Sequence, residues 1–224
     1  MKTQSWRSLV LLLALFSLNR PGHAATLVWT NVAGGNWSVA ANWEPHQVPG
    51  AGDDVMLTTP GGYTVTGDVA ATVRGVTLAN AGLTFQVLTN VTVTVTNGLN
   101  FSAGVISGPG GLNLGGSNTW SGGILNGASR VTVAAGASFT ISGNVDHDLP
   151  GAYLTNNGTI FHSGGRVRGG LGSVVNNAGT WLEQVDADIN DEYGGGPLTF
   201  NNSGTLHKTV GAGSTRFCAT CRCC

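Results

Sequence analysis

Charged side chains are scarce in this chain. Asp, Glu, Lys and Arg make up 9% of its 224 residues, whereas typical globular proteins contain about a quarter. The formal net charge is −1, and no basic stretch offers the electrostatic attraction that nucleic-acid binding requires. We therefore expect a surface that is polar through Asn, Thr, Ser and backbone groups, and we expect no nucleic-acid partner.

Long apolar runs are also missing, apart from one near the amino terminus. That run follows Lys2 and Arg7, and the small residues Gly22 and Ala24 come after it. It is shorter than the roughly 20 apolar residues that a membrane-spanning helix needs. This order is typical of a secretory signal peptide that is cleaved after Ala24. The sequence thus predicts a signal peptide at residues 1–24, a mature chain without a transmembrane segment, and a secreted or cell-surface location.

Cysteine is absent from almost the whole chain and then occurs four times in residues 218–224. Disulfides that stabilise exported folds link distant segments, which cysteines this close together cannot do. Adjacent Cys223 and Cys224 are also poorly spaced for a zinc site. We interpret this Cys-rich tail as the product of a frameshift or a truncated reading frame, and the chain as a fragment of a protein with further coils.

Helix signals are missing after the leader, since no long stretch places apolar residues at spacings of three and four. Short β-branched runs alternate instead with Gly and Asn turns, which is the pattern of an all-β fold. The runs include residues 63–66, 73–78, 83–88, 91–96, 130–133 and 138–142.

An internal repeat indicates which all-β fold the chain adopts. A short motif of Asn, Gly and Thr recurs, and its threonines are 21 and 25 residues apart. Its members are Asn157, Gly158 and Thr159, then Gly179 and Thr180, then Gly204 and Thr205. A period of this length is that of one solenoid coil. The repeat predicts a right-handed parallel β-helix over residues 61–217, and a β-sandwich with fortuitous Asn-Gly turns is the alternative.

Each part of the motif has a physical interpretation. Gly and Asn tolerate the positive φ angles that coil corners often need. Stacked asparagines can also hydrogen-bond along the coil axis as a ladder. The apolar residues that follow the threonines are Ile160, Trp181 and Leu206, and we expect them to point inward and stack on one another.

Residues 25–60 differ from the repeat region. Trp29, Trp37 and Trp43 cluster there, and a solenoid end needs a cap because it otherwise exposes the core and strand edges. We interpret the segment as an N-terminal Trp-rich cap, with a sugar-stacking tryptophan surface as the alternative.

The same segment carries a resemblance. Gly-Asn-Trp-Ser-x-Ala-x-Asn-Trp at residues 35–43 is followed by Val-Pro-Gly-x-x-Asp-Asp-Val at residues 48–55 and later by Asn-Asn-Gly-Thr coils. This order resembles the opening of exported bacterial adhesin-like and autotransporter-like repeat proteins. The resemblance implies a parallel β-helix at the cell surface, with adhesion or matrix roles.

These observations favour a non-enzymatic structural or adhesion module whose partners are surface glycans or other surface proteins. No residue is nominated as catalytic. Parallel β-helices also host polysaccharide lyases and glycoside hydrolases, whose reactions need paired carboxylates or a positioned base. A carbohydrate-active enzyme of this kind is the alternative, with Asp186, Asp188, Arg166 and Arg168 in or near a groove, and a glycan-binding module is another.

Four basic or titratable side chains form the candidate glycan site: His162, Arg166, Arg168 and Lys208. The two arginines alternate along one predicted strand, so both are expected on one face. Alignment of the coils on their threonines places His162, Glu183 and Lys208 in one row. Alternation alone would turn this row inward, so a corner must intervene for it to meet a glycan. Charges that merely keep a sheet soluble are the alternative.

Asp186, Asp188 and Asn190 are the candidate metal ligands. Oxygen ligands at alternate positions can converge on Ca²⁺, and this spacing begins like that of an EF-hand loop. It departs where Asp191 replaces the required glycine. Ca²⁺ is therefore the one cofactor that we consider, and a solvated acidic loop is the alternative.

Overall fold

A computed structural model describes residues 24–217, so the predicted signal peptide up to residue 23 and the Cys-rich tail lie outside the described residues. The described chain is a right-handed parallel β-helix of about seven turns, with one short 3-10 helix at Ala40–Asn42. The strands in chain order are β1 (Thr26–Trp29), β2 (Gly35–Asn36), β3 (Trp43–Glu44), β4 (Asp54–Leu57), β5 (Tyr63–Gly67), β6 (Ala71–Val87), β7 (Thr92–Ser107), β8 (Gly111–Leu114), β9 (Ser117–Trp120), β10 (Ile124–Leu125), β11 (Arg130–Val133), β12 (Ser138–Ile141), β13 (His147–Asp148), β14 (Tyr153–Asn156), β15 (Thr159–His162), β16 (Val167–Gly170), β17 (Val174–Asn177), β18 (Thr180–Glu183), β19 (Ile189–Gly194), β20 (Thr199–Asn202) and β21 (Thr205–Lys208).

Three parallel sheets form the walls of the β-helix, and we name them faces A, B and C. Face A contains β1, β4, residues 75–78 of β6, residues 98–101 of β7, β9, β12, β15, β18 and β21. Face B contains β2, β5, residues 83–87 of β6, residues 105–107 of β7, β10, β13, β16 and β19. Face C contains residues 71–73 of β6, residues 92–95 of β7, β8, β11, β14, β17 and β20.

Strand alternation separates the interior of the β-helix from its surface. Along β15, the second and fourth residues are buried while the first and third are partly exposed, as expected for a strand with one face on the core. Ile160 pairs with Trp181, which pairs with Leu206. The first two are fully buried and the third packs against the core. Inward stacking is thus confirmed, and the parallel pairing rules out the β-sandwich alternative.

An asparagine ladder runs inside the corner between faces C and A. Asn156 Nδ2 donates to Asn177 Oδ1 at 2.7 Å, and Asn177 Nδ2 donates to Asn202 Oδ1 at 2.6 Å. Each donor also reaches a backbone carbonyl one coil further on, that of Thr180 or Thr205, at 2.9 Å. The predicted ladder is confirmed, although its first member is Asn156. The neighbouring Asn157 is exposed at the corner.

The repeat needs glycine at these positions because neighbouring coils lie very close together there, and not because the backbone has a positive φ angle. Gly158, Gly179 and Gly204 are not among the residues with positive φ, so the expected reason for them is wrong. A Cβ on Gly179 would lie 2.2 Å from the carbonyl oxygen of Gly158, and one on Gly204 would lie 2.1 Å from that of Gly179. Successive coils therefore approach so closely at this corner that only a hydrogen fits.

The three tryptophans of residues 25–60 are fully buried, while the role of this segment as a cap stays a prediction. The ring centroids of Trp29 and Trp43 lie 5.0 Å apart, and those of Trp37 and Trp43 lie 4.9 Å apart, both edge to face. β3 runs antiparallel to β1, on the edge opposite the parallel neighbour β4. Burial removes these ring faces from solvent, so they cannot stack on a sugar.

The glycine contacts yield a stability prediction. We expect Gly179→Ala to lower the free energy of unfolding by about 2–3 kcal/mol, because the new methyl group meets backbone that cannot move aside. The measurement is urea unfolding followed by circular dichroism. Gly62→Ala is the control, since a Cβ there would come no closer than 4.0 Å to any atom outside its neighbours. Its free energy should change by no more than about 0.5 kcal/mol. Equal stability of the two variants would contradict the close-packed corner.

Candidate functional site

The two candidate arginines on face B, Arg166 and Arg168, both form ion pairs with aspartates. Arg166 Nε and Nη2 donate to the two carboxylate oxygens of Asp146 at 2.8 and 2.9 Å. Arg168 holds Asp148 in the same bidentate way, at the same two distances. A further contact of 2.5 Å joins Arg166 Nη1 to Glu192 Oε2. Both guanidinium groups lie on the outer side of the wall, because Val167 between them points into the core.

These pairs set the electrostatics of face B. The hydrogen bond from Arg166 is the main reason why the pKa of Asp146 lies below its usual range, and the Arg168 charge adds to the effect. Both arginine side chains remain partly exposed, at 42% and 26%. An anionic glycan would therefore meet guanidinium groups that already hold carboxylates. Glycan binding by Arg166 and Arg168 stays a prediction.

His162, Glu183 and Lys208 form one stacked row, as the alignment of the coils predicts. The row lies at the fourth, inward position of the face A strands, where the preceding coils carry Trp120 and Ile141. No corner intervenes, since alternation continues unbroken to the end of β15. The side chains of His162 and Glu183 are 0% and 2% exposed, so neither belongs to a surface that a glycan can reach.

A buried hydrogen-bonded pair results. His162 Nδ1 lies 2.9 Å from Glu183 Oε2, and His162 Nε2 lies 2.7 Å from the carbonyl oxygen of Gly165. Trp181 Nε1 donates to the same Glu183 oxygen at 3.2 Å. Both ring nitrogens therefore face oxygen atoms, and the other carboxylate oxygen of Glu183, Oε1, has no hydrogen-bond partner among the described residues.

Lys208 ends the row at the last described coil. Its Nζ lies 2.6 Å from Asp186 Oδ1 and donates to the Val185 carbonyl at 3.0 Å. The side chain is 30% exposed. Its charge is therefore directed towards the acidic segment rather than towards an open surface.

His147 is a buried titratable group that sequence reasoning missed. Its ring lies edge to face with Trp120, with centroids 4.9 Å apart. Neither ring nitrogen makes a hydrogen bond of normal geometry. Burial, reinforced by the nearby His162 and only partly opposed by backbone groups and Asp146, lowers the pKa of His147 to about 4. The Asp residues on either side suggest an exposed corner in the sequence, but the segment is β13, whose alternation turns His147 inward.

The candidate calcium ligands have other partners. Asp186 Oδ1 accepts the Lys208 contact, and the side-chain oxygens of Asp188 and Asn190 each accept a backbone N–H at 3.1 Å. Among residues 24–217, no three or more His, Cys, Asp and Glu side chains are grouped so that they could hold a metal. Calcium binding at this segment stays a prediction.

An open cleft of about 800 Å³ crosses the outer side of face A, and we call it the face A cleft. Its lining residues are Asp54, Val55, Met56, Gly75, Val76, Thr77, Asn97, Gly98, Leu99, Asn100, Ser117 and Thr119. Gly75 and Gly98 occupy the outward column between Asp54 and Ser117. Because these two positions carry no side chain, the outer surface of face A is recessed over two coils. The strand backbone forms the floor of the recess.

Comparison with known proteins identifies no relative. No protein-family model matches the chain, and no curated protein or solved structure is significantly similar to it. In the part of the chain that the structure describes, no helix has the length and apolar character that crossing a membrane requires.

The buried His147 yields a prediction for pH dependence. The unfolded chain binds a proton to this side chain below about pH 6.5, whereas the folded chain resists protonation until about pH 4. The contribution of neutral His147 to the free energy of unfolding is therefore fully present above about pH 6.5, and it is lost as the pH falls towards 4. The loss is about 3 kcal/mol, because one pKa unit corresponds to about 1.4 kcal/mol.

Urea unfolding at pH 7 and pH 4.5 measures this effect. We expect His147→Phe to reduce the difference between the two pH values, because the ring still packs on Trp120 but no longer titrates. His46→Phe is the matched control, since that side chain is 72% exposed, and it should leave the difference unchanged. The same pH dependence in wild type and His147→Phe would contradict the assignment.

Proposed function

We propose that this chain is an exported, non-enzymatic surface protein whose β-helix acts as a rigid structural or adhesive module. The observation that carries the proposal is an uncharged polar row along the outer side of face C. It consists of Thr72, Thr94, Asn113, Thr132, Thr155, Asn176 and Asn201. These side chains stack in register on a continuous hydrogen-bonded wall, so the same uncharged chemistry repeats regularly from coil to coil.

Export is supported by the leader, whose positive start, apolar run and small residues fit a signal peptide. The surface role is supported by the resemblance of residues 35–55 to adhesin-like and autotransporter-like proteins. Surface glycans or other surface proteins are the partners that we propose, with Arg166 and Arg168 as cationic contacts. Lys208 is a further cationic contact, and Asp186 holds its ammonium group just as carboxylates hold the two guanidinium groups.

A structural role for Asp146 and Asp148 on face B supports the non-enzymatic part of the proposal. A general acid or nucleophile must be free to exchange a proton or attack a substrate. Asp146 and Asp148 instead hold arginines of the next coil in bidentate pairs. These pairs join neighbouring coils, which is a use of charge that needs no substrate.

The test combines retention with product analysis. We expect the purified mature protein to be retained on intact bacterial cells or their isolated surface polysaccharide, and to leave pectin, alginate and cellulose uncleaved over long incubation. Arg166→Gln should reduce retention several-fold. Arg130→Gln removes a cation from face C and is the matched control. Release of unsaturated uronides or new reducing ends that is lost in Asp188→Ala would overturn the non-enzymatic function.

A further inference from the structure

We propose that the face A cleft binds an uncharged, extended, hydroxyl-rich chain, that is, a segment of a neutral polysaccharide. This inference deepens the proposed function and rests on it, because it names a ligand class and a site for the surface module. The cleft lies on a different wall from the arginines of face B, so the two contact regions can be tested separately.

Unpartnered polar side chains are the first argument. Thr77, Asn97, Asn100, Ser117 and Thr119 line the cleft, and none of them makes a side-chain hydrogen bond to any residue in the range 24–217. Buried asparagines elsewhere in the β-helix are bonded to their neighbours, as the ladder shows. The hydroxyl and amide groups of the cleft are therefore free to bind donors and acceptors of a ligand.

The spacing of these groups is the second argument. Thr77, Asn100 and Thr119 stack in one outward column of face A, and neighbouring strands lie about 4.8 Å apart. That distance is comparable with the length of one sugar residue in an extended glycan. Consecutive sugar residues can therefore meet equivalent side chains on consecutive coils.

Charge is the third argument. Asp54 is the single charged residue among those that line the cleft, and Arg74 pairs with it through two hydrogen bonds. An anionic polymer would find no free cation here, and a cationic one would have to displace Arg74. Hydrogen bonding without charge is the chemistry of neutral sugars.

The small number of apolar side chains in the cleft limits its affinity for a glycan. Met56 is the one apolar side chain that lies on the outward side of its walls, and no aromatic ring lines it. Stacking on aromatic rings supplies much of the energy in tight sugar sites. We therefore expect a dissociation constant on the order of millimolar for one oligosaccharide.

The experiment is an NMR titration of the purified exported protein with cellohexaose as the neutral probe and hexagalacturonate as the charged probe. We expect cellohexaose to shift the side-chain amide signals of Asn97 and Asn100, and hexagalacturonate to shift them far less. Asn100→Ala should weaken cellohexaose binding by roughly threefold to tenfold, the range expected for one lost hydrogen bond.

Asn113→Ala is the matched control. Asn113 lies on face C between Thr94 and Thr132, so it repeats the Thr-Asn-Thr column outside the cleft. We expect this variant to bind cellohexaose as the wild type does. An equal loss in both variants would show that any polar column suffices, and it would overturn the cleft as the site.

The other outcomes are equally decisive. Absence of shifts at tens of millimolar cellohexaose, or an equal response to hexagalacturonate, would overturn the neutral-glycan site and leave the proposed module role standing. Binding accompanied by new reducing ends would overturn the non-enzymatic function while keeping the cleft as the binding site.

Discussion

Parallel stacking at a coil spacing of about 4.8 Å is the constraint on which the rest of this structure depends. It places the same position of successive coils in direct contact, so each residue must be compatible with its own repetition. At the corner between faces C and A, the backbones come so close that Gly158, Gly179 and Gly204 have no room for a Cβ. Next to them, Asn156 and Asn177 gain from the same closeness, because each amide donates to the asparagine of the next coil.

The same constraint determines where polar groups can enter the core. The inward row of face A is apolar through Ile141 and then continues as His162, Glu183 and Lys208. A lone buried polar group costs free energy unless it is paired. Stacking supplies the pairing here, since His162 meets Glu183 one coil on. His147 lacks such a partner, and burial, reinforced by the nearby His162, lowers its pKa to about 4.

Sequence reasoning could predict the architecture because the Asn-Gly-Thr motif marks the same corner in three coils. Alignment of the coils on this motif also places His162 in a row with Glu183. The sequence does not show whether a corner follows Ile160, so it does not show whether this row points into the core or into solvent. The role of Gly179 was misread, since a close approach between coils and a positive φ both favour glycine. The cleft was missed because it depends on coils of unequal length. Gly75 pairs with Gly98 only once the register of β6 and β7 is known.

Cross-linking in register tests the stacked-coil account most directly. Thr155 and Asn176 are outward neighbours on face C, so cysteines at these two positions should form a disulfide readily, in a background where the four native cysteines of residues 218–224 are serine. Cysteines at Thr155 and Val174, two residues out of register, lie about 8 Å apart by strand geometry, beyond the roughly 7 Å that a disulfide tolerates. The account predicts rapid oxidation of the first pair and slow oxidation of the second. Equal rates, or faster closure of the offset pair, would contradict the register on which the core, the corner and the cleft all rest.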